Sequence, residues 1–378
     1  MLTEESRQRD FPSLENRIYL NTAAEGIPPV SVLETLVKYG RDKELGMDGR
    51  LLHAVQDLEL RARTADFYGL NPENIGICSC SSEAYNLAYS ALNLKSGDEV
   101  IINDLDFPAG ATPWLTTASA ATVRIWRSRE GVLAVEDLIK LLSPKTRFVN
   151  TSLVSFYNGC QIDVDEVADA VRKHSPALLG VDVTQALGRL ALKLDKADLI
   201  VSSTHKWVLG IHGGGLVGVS PERSDEWTVP AGGWFNLENA FDDSRFEGVQ
   251  NKKGAASFSV GMPNYAAIYS NNAALKYISE VGVNNIENYT RELVKFCRDG
   301  VRELPVELLG PANPVHPSGI IAFKHSNFQK INNALHARGI HTMAHAGRIR
   351  VAIHGYNTRN DIEVFLETLS RAISVNAI

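Results

Sequence analysis

Between about residue 50 and residue 220, short apolar runs alternate with stretches of helical periodicity. The runs Ile75–Cys78, Glu99–Asn103, Thr122–Trp126, Phe148–Leu153, Ala177–Val181, Leu199–Ser202 and Gly215–Val219 are short and rich in β-branched residues, as strands buried on both faces are. Between them Glu83–Leu94, Glu136–Leu142 and Asp163–His174 carry helical periodicity. The last of these is opened by Asp163 and closed by Arg172, Lys173 and His174, charges that suit the two ends of a helix dipole. Strands and helices in alternation predict an α/β fold around a mostly parallel, seven-stranded sheet.

The pattern then changes. From Val229 to Met262 periodicity is lost, and Gly232, Gly233, Gly254 and Gly261 punctuate the stretch, which predicts a long functional or interface loop. After Pro263 two long helices are expected, Ala266–Val281 and Asn284–Leu304, followed by strands at Gly319–Lys324 and Arg348–Ile353 and a closing helix from Asn360 to about Ser374. The reading is a large domain over residues 20–262 and a smaller α+β domain built from residues 1–19 and 263–378, with no repeat or low-complexity tract.

Composition narrows the function classes. Of 378 residues, 44% are hydrophobic and 22% charged, as in ordinary globular proteins, and the net charge of −6 argues against a nucleic-acid or anionic-membrane surface. No apolar run reaches the length of a membrane span, and the start Met1-Leu2-Thr3-Glu4-Glu5 has neither a basic nor an apolar leader region, so a cytoplasmic location is expected. The four cysteines form no CxxC pair. Cys78 and Cys80 are expected to be inert, partly buried thiols, and no metal is expected.

Candidate chemistry gathers at the polar ends of the apolar runs, the edge where ligands sit in such sheets. Leu178-Leu179-Gly180-Val181 ends in Asp182, and the run to Ser202 is followed by Ser203-Thr204-His205-Lys206-Trp207. An acid and a lysine brought to one ligand from neighbouring strands suit pyridoxal 5'-phosphate (PLP): the amine forms a Schiff base with the aldehyde, and the carboxylate faces the pyridine nitrogen. Lys206 and Asp182 are thus the expected catalytic pair. Ser81 and Ser82 open a helix whose N-terminal N–H groups suit a phosphate, although plain N-capping by serine explains them as well. Gln185, Ser203 and His205 are further candidate cofactor contacts, and Phe107 a candidate ring stacker. Arg348 and Arg350 alternate with apolar residues on one strand, and a guanidinium is the natural grip for a carboxylate. Phase alone does not separate the two.

Taken together, Tyr19-Leu20-Asn21-Thr22-Ala23-Ala24, Ser81-Ser82-Glu83-Ala84, Asp106-Phe107-Pro108, Asp182-Val183-Thr184-Gln185, Ser203-Thr204-His205-Lys206, Gly261-Met262-Pro263-Asn264 and Arg350-Val351-Ala352 resemble the class V aminotransferases, fold type I PLP enzymes that include cysteine desulfurases and isopenicillin N epimerase-like proteins. The resemblance runs over roughly residues 17 to 370. It implies Lys206 as Schiff-base lysine, Asp182 as partner of the pyridinium and Gln185 as contact to the phenolic oxygen. It further implies Ser82, Ser203 and His205 at the phosphate, Arg350 on the substrate carboxylate, Asn21 and Ala23 along the substrate side, and a homodimer with the active site at the interface.

Departures from the desulfurase pattern matter as much. The stretch Ile340-His341-Thr342-Met343-Ala344-His345-Ala346-Gly347 has no cysteine where desulfurases carry theirs, and Phe107 stands where they stack a histidine. The expected function is a PLP-dependent aminotransferase acting on an amino acid or amine. The alternatives are a lyase (C–S cleavage or β-elimination) or an epimerase of the same family, and, from another class, an idle PLP-binding scaffold.

Overall fold

Seven strands side by side form the largest element of the computed structural model, which describes residues 1–116, 119–311, 314 and 317–375. In chain order the strands are β1 (Ile18–Tyr19), β2 (Ile75–Cys78), β3 (Glu99–Asn103), β4 (Thr122–Trp126) and β5 (Thr146–Ser152). They continue with β6 (Leu178–Asp182), β7 (Leu199–Ser203), β8 (Gly215–Val219), β9 (Glu307–Leu308) and β10 (Ile320–Lys324). The last are β11 (Ile340–His341), β12 (Met343–His345) and β13 (Arg348–Ala352).

The large sheet has the order β2-β8-β7-β6-β5-β3-β4. All neighbours from β4 to β7 are parallel, and β8 alone runs against both β7 and β2. Every residue of β2, β3, β6, β7 and β8 is buried, which is why these strands read as unbroken apolar runs. Edge strand β4 alternates instead, with Thr122 and Arg124 exposed, Val123 and Ile125 half-buried and Trp126 buried at its end.

Helix signals resolve much as expected. Asp163 caps Val164–His174, accepting from the Glu166 N–H at 3.1 Å, and Val164, Val167, Ala168 and Val171 form the buried face. The expected Glu136–Leu142 helix shrinks to Val135–Ile139, where Leu138 is the one buried anchor. Two long helices at Val30–Glu44 and Gly49–Tyr68 escape the sequence reading. Their apolar residues are spread around the helix, so Leu33, Val37, Leu51, Val55 and Leu58 are exposed while Val32, Leu60 and Ala65 are buried.

A second, antiparallel sheet has the order β12-β13-β10-β9. Its apolar face (Ile321, Phe323, Ile349, Val351) is covered by Leu293, Val294 and Cys297 of helix Val283–Arg302 and by Phe365 and Leu369 of helix Arg359–Val375. Among the described residues no helix is long and apolar enough to cross a membrane.

The N-terminal segment ties the two sheets together. β1 pairs in parallel with β11, and Asn21 bridges to Ala352 at the end of β13. Gly26 then donates its N–H to the His205 carbonyl at 2.8 Å. A side chain at Gly26 would put Cβ 1.9 Å from the Lys206 carbonyl oxygen, so only glycine permits this approach. Gly26→Ala is therefore expected to cost about 1–3 kcal/mol in urea unfolding. Gly232→Ala, whose added Cβ meets nothing within 4 Å, is the control expected to unfold like the parent chain. Equal midpoints for the two variants would contradict the close-approach argument.

Candidate active site

Neighbouring parallel strands deliver the acid and the amine to one edge of the sheet. Asp182 ends β6, in register with Val201 of β7, and the chain leaving β7 reaches Lys206 three residues past the strand. Both side chains are buried, each residue 8% exposed. The Lys206 Nζ stands 4.8 Å from the centroid of the Phe107 ring, a cation–π distance. Burial depresses the Lys206 pKa to about 8, with Asp182 pulling the other way and Arg350 adding to the depression. Roughly a tenth of the amine is therefore neutral at pH 7, far more than for an exposed lysine.

Asp182 is held from two sides. Its Oδ1 accepts the Thr184 N–H at 2.8 Å and its Oδ2 accepts the Tyr85 hydroxyl at 3.0 Å. Burial raises its pKa, while the Thr184 and Tyr85 hydrogen bonds and the charge of Lys206 pull it back. Tyr85, fully buried and pushed well above the usual phenol range first by burial, stays a donor. Each carboxylate oxygen keeps a further lone pair for a ligand.

The serines sit at the mouth of this pocket. Helix Ser81–Leu92 begins at Ser81, whose hydroxyl accepts from the Ser203 hydroxyl at 2.9 Å, joining the helix start to the end of β7. Ser82 is exposed on the first turn. The helix cap is Cys80, not a serine: its Sγ accepts the Glu83 N–H at 3.4 Å. Cys80 is also exposed while Cys78, Cys160 and Cys297 are buried, so the expectation of partly buried thiols is corrected at both Cys78 and Cys80, because the chain turns out of the sheet after Cys78. His205 is half-buried and stacked on His212, with centroids 4.5 Å apart. Burial first, then Lys206 and His212, lower its pKa to about 4, so the imidazole is neutral.

Gln185 works inside the protein. Its Nε2 donates to the Ala23 carbonyl at 3.1 Å and its Oε1 accepts the Trp207 indole N–H at 2.6 Å, leaving one amide N–H for a ligand. Ala23 thereby anchors the N-terminal segment, and Asn21 beside it carries a buried Oδ1 without a hydrogen-bond partner. Arg350 and Arg348 both reach the 156–157 segment. Arg350 Nη1 donates to the Phe156 carbonyl at 2.8 Å, and Arg348 Nε donates to the Tyr157 carbonyl at 3.1 Å. They differ in what remains. Arg348 lies over the Tyr157 ring at 4.1 Å and also donates to His345, whereas Arg350 keeps a buried, unpartnered Nε. Burial lowers the Arg350 pKa to about 10, still charged at neutral pH.

Three neighbours were given no role in the sequence reading, although Thr184 and Asp106 lie in segments that carry the resemblance. Tyr85 lies on the Ser81 helix, four residues on, a spacing that places both on one face. Thr184 accepts the Ser203 N–H at 3.0 Å with its Oγ1 while donating to Asp182 from its backbone, so it couples β6 to β7. Asp106, half-buried beside Phe107, accepts the Ser152 N–H at 2.9 Å with Oδ1 and has a buried, unpartnered Oδ2. Burial, aided by Asp182, moves its pKa up to about 7.

A phosphorylated pyridine aldehyde asks for a buried, partly neutral amine, an acid with free lone pairs, hydroxyl and helix-terminus donors and an apolar lid. Lys206, Asp182, the Ser81–Ser203 pair and Phe107 offer these four features, and the orphaned Arg350 Nε offers a carboxylate donor besides.

Comparison with known proteins agrees. The family described as "Aminotransferase class-V" matches residues 18–365. The chain is similar to "Uncharacterized aminotransferase YcbU" of Bacillus subtilis (strain 168), 25% identical over 98% of both chains. It is similar to a "Probable cysteine desulfurase" of Pyrococcus abyssi (strain GE5 / Orsay), 24% identical over 99% of this chain and 98% of the relative. In fold it is similar to the apo structure of a cysteine desulfurase from Thermococcus onnurineus NA1, with TM-score 0.90, 23% identity and 99% of each chain covered. It also resembles in fold the cystine C-S lyase C-DES in complex with cysteine persulfide, with TM-score 0.87, 22% identity, and 95% of this chain and 99% of that one covered. With the match spanning both sheets and the Lys206–Asp182 edge between them, the chain belongs to the class-V aminotransferase family of PLP-dependent enzymes.

Proposed function

We propose that the enzyme is an aminotransferase acting on an amino acid through Lys206. The observation that carries this reading is the site's pairing of a desolvated lysine with Asp182, a non-titrating lid and no thiol where a desulfurase needs one. Segment 343–350 is a tight hairpin: β12 and β13 are joined through Ala346 and Gly347, both at positive φ, and no cysteine lies on it. Of the four cysteines only Cys80 is exposed, and its sulfur is engaged as a helix cap.

Bound PLP supplies an aldehyde for amines and a ring that draws electron density from the substrate's α-carbon. The residues that would hold it are Lys206 at the aldehyde, Asp182 at the ring nitrogen, Gln185 at the phenolic oxygen, Phe107 on one face, and Ser81, Ser82, Ser203 and His205 at the phosphate. Lys206 Nζ takes up the α-proton and returns it, which its depressed pKa permits near neutral pH. Phe107 titrates nothing, so proton traffic on its side falls to Lys206. Arg350 binds the substrate carboxylate with its unpartnered Nε, and Asn21 and Ala23 line the substrate side.

The similarity to desulfurases and to a C–S lyase makes sulfur elimination the second reading, and product analysis separates the two. With a panel of L- and D-amino acids, the holoenzyme is expected to form keto acids in step with bleaching of its visible absorbance, and not to convert the matching amines that lack a carboxylate. Lys206→Ala is expected to abolish turnover with an unchanged circular dichroism spectrum. Release of pyruvate and ammonia or of sulfide, or appearance of the opposite enantiomer, would replace transamination with elimination or epimerisation.

Lysine reactivity gives a test independent of turnover. In cofactor-free protein, Lys206 labelling by an acylating reagent, followed by mass spectrometry, is expected to rise as pH passes through about 8, since the amine gains its lone pair only above its pKa. Exposed lysines titrate near the ordinary value of about 10.4 and rise later. Coincident profiles would contradict the buried, depressed amine.

We further propose a homodimer with the active site at its interface. Supporting it, Leu51, Val55 and Leu58 form an exposed apolar stripe on helix Gly49–Tyr68, beside exposed Leu33 and Val37. Sedimentation is expected to give a dimer, and the double variant Leu51→Glu, Leu58→Glu a monomer. A monomeric parent chain would overturn the proposal.

A further inference from the structure

The turn that carries Lys206 is held by a histidine to which the chemistry above gives no role. His354 lies two residues past β13 and is fully buried. Its Nδ1 accepts the Gly355 N–H at 2.6 Å, so the ring proton sits on Nε2, which donates to the Trp207 carbonyl at 2.9 Å. The ring packs between Tyr356, stacked with centroids 5.5 Å apart, and Trp207, tilted at 5.6 Å. Burial lowers the His354 pKa to about 4, so neither nitrogen changes its role near neutral pH.

The carbonyl held in this way belongs to the residue directly after the lysine. Leu209 closes the turn by donating its N–H to the Lys206 carbonyl at 3.0 Å, and it does so at φ +61°, a strained conformation for leucine. Gly188 crowds the Trp207 carbonyl from another side, where a Cβ would stand 2.5 Å from the oxygen. The Trp207 indole N–H is already given to Gln185. Among the described residues His354 is the one donor to the Trp207 carbonyl. Without it a buried acceptor stays unpaired, and the strained turn gains a reason to move.

Given Lys206 as the Schiff-base lysine, on which this rests, we propose that His354 is a positioning residue: its Nε2–H holds the Trp207 carbonyl and so fixes the lysine amine opposite Asp182. His354 also lies four residues after Arg350. The same bond therefore joins the strand bearing the carboxylate grip to the turn bearing the amine.

Two substitutions of similar polarity test the bond. In His354→Gln the longer amide can still place an N–H at the Trp207 carbonyl. In His354→Asn the side chain keeps an acceptor for the Gly355 N–H and is too short to reach Trp207. With an amino acid that the parent holoenzyme turns over, His354→Asn is expected to lower kcat about tenfold or more and leave KM within about threefold, since Arg350 is untouched. The pH at which its visible absorbance titrates is expected to shift by about half a unit or more, because the amine has moved in the field of Asp182. His354→Gln is expected to match the parent in both readouts. Equal behaviour of the two variants, whether both parent-like or both impaired, would overturn the proposal. Borohydride reduction of the parent holoenzyme and peptide mass spectrometry are expected to find the cofactor fixed on Lys206. Cofactor on another residue would overturn this proposal together with the lysine reading, whereas cofactor on Lys206 with equal variants overturns this proposal alone.

Discussion

A lysine amine and an aspartate carboxylate taken out of water together lose hydration that neither can spare, and they hold their place only if attraction and hydrogen bonds return most of it. The site is organised around that condition. Asp182 receives a backbone N–H from Thr184 and a hydroxyl from Tyr85, and Lys206 is left with the face of Phe107 and the field of Asp182. Four separate pieces of chain must arrive together for this: the ends of β6 and β7, the first turns of the Ser81 helix and the 106–107 turn after β3. A parallel sheet makes that possible, because β3, β5, β6 and β7 all present their C-terminal ends along one edge.

What the residues reveal in advance, and what they conceal, follows from the same physics. Strands buried on both faces have only apolar choices, so β2, β3 and β8 are legible to their terminal residues, and edge strand β4 is legible from its short β-branched run. β6 and β7 extend one residue further, onto Asp182 and Ser203, because the ladder continues past the apolar run into the site. The lysine, the acid and the serines were visible as polar punctuation at those ends. Tyr85 was not, since a tyrosine inside a helix reads as core. Nor was the difference between Arg348 and Arg350, which share a strand face and separate only through the Tyr157 ring beneath one of them. The stacking of His205 on His212 had no trace along the chain either, since seven residues separate them and only the loop after β7 brings the rings together.

Family membership sets the frame of the chemistry and leaves its outcome to a few side chains. A titrating residue over the amine would give a second carrier for protons; here the lid is Phe107, wedged edge-on against Phe156 with centroids 5.1 Å apart. Asp106, anchored to the end of β5, fixes where that lid begins. Asp106 is half-buried beside that ring, and loss of solvation, with the charge of Asp182 adding to it, lifts its pKa to about 7.

The pairing of β1 with β11 and the bridge from Asn21 to Ala352 carry a consequence for synthesis on the ribosome. Residues that leave the exit tunnel first find their partners only when nearly the whole chain has followed. The large sheet has all its strands once Val219 is out, yet the bridge from Asn21 to Ala352 waits for β13. Contacts of such separation close slowly, since the intervening chain must be ordered before they form. A nascent chain therefore shows its lysine edge open to the surroundings while the stretch from Val219 to β13 is translated, and the contacts of β1 and Asn21 close only after it.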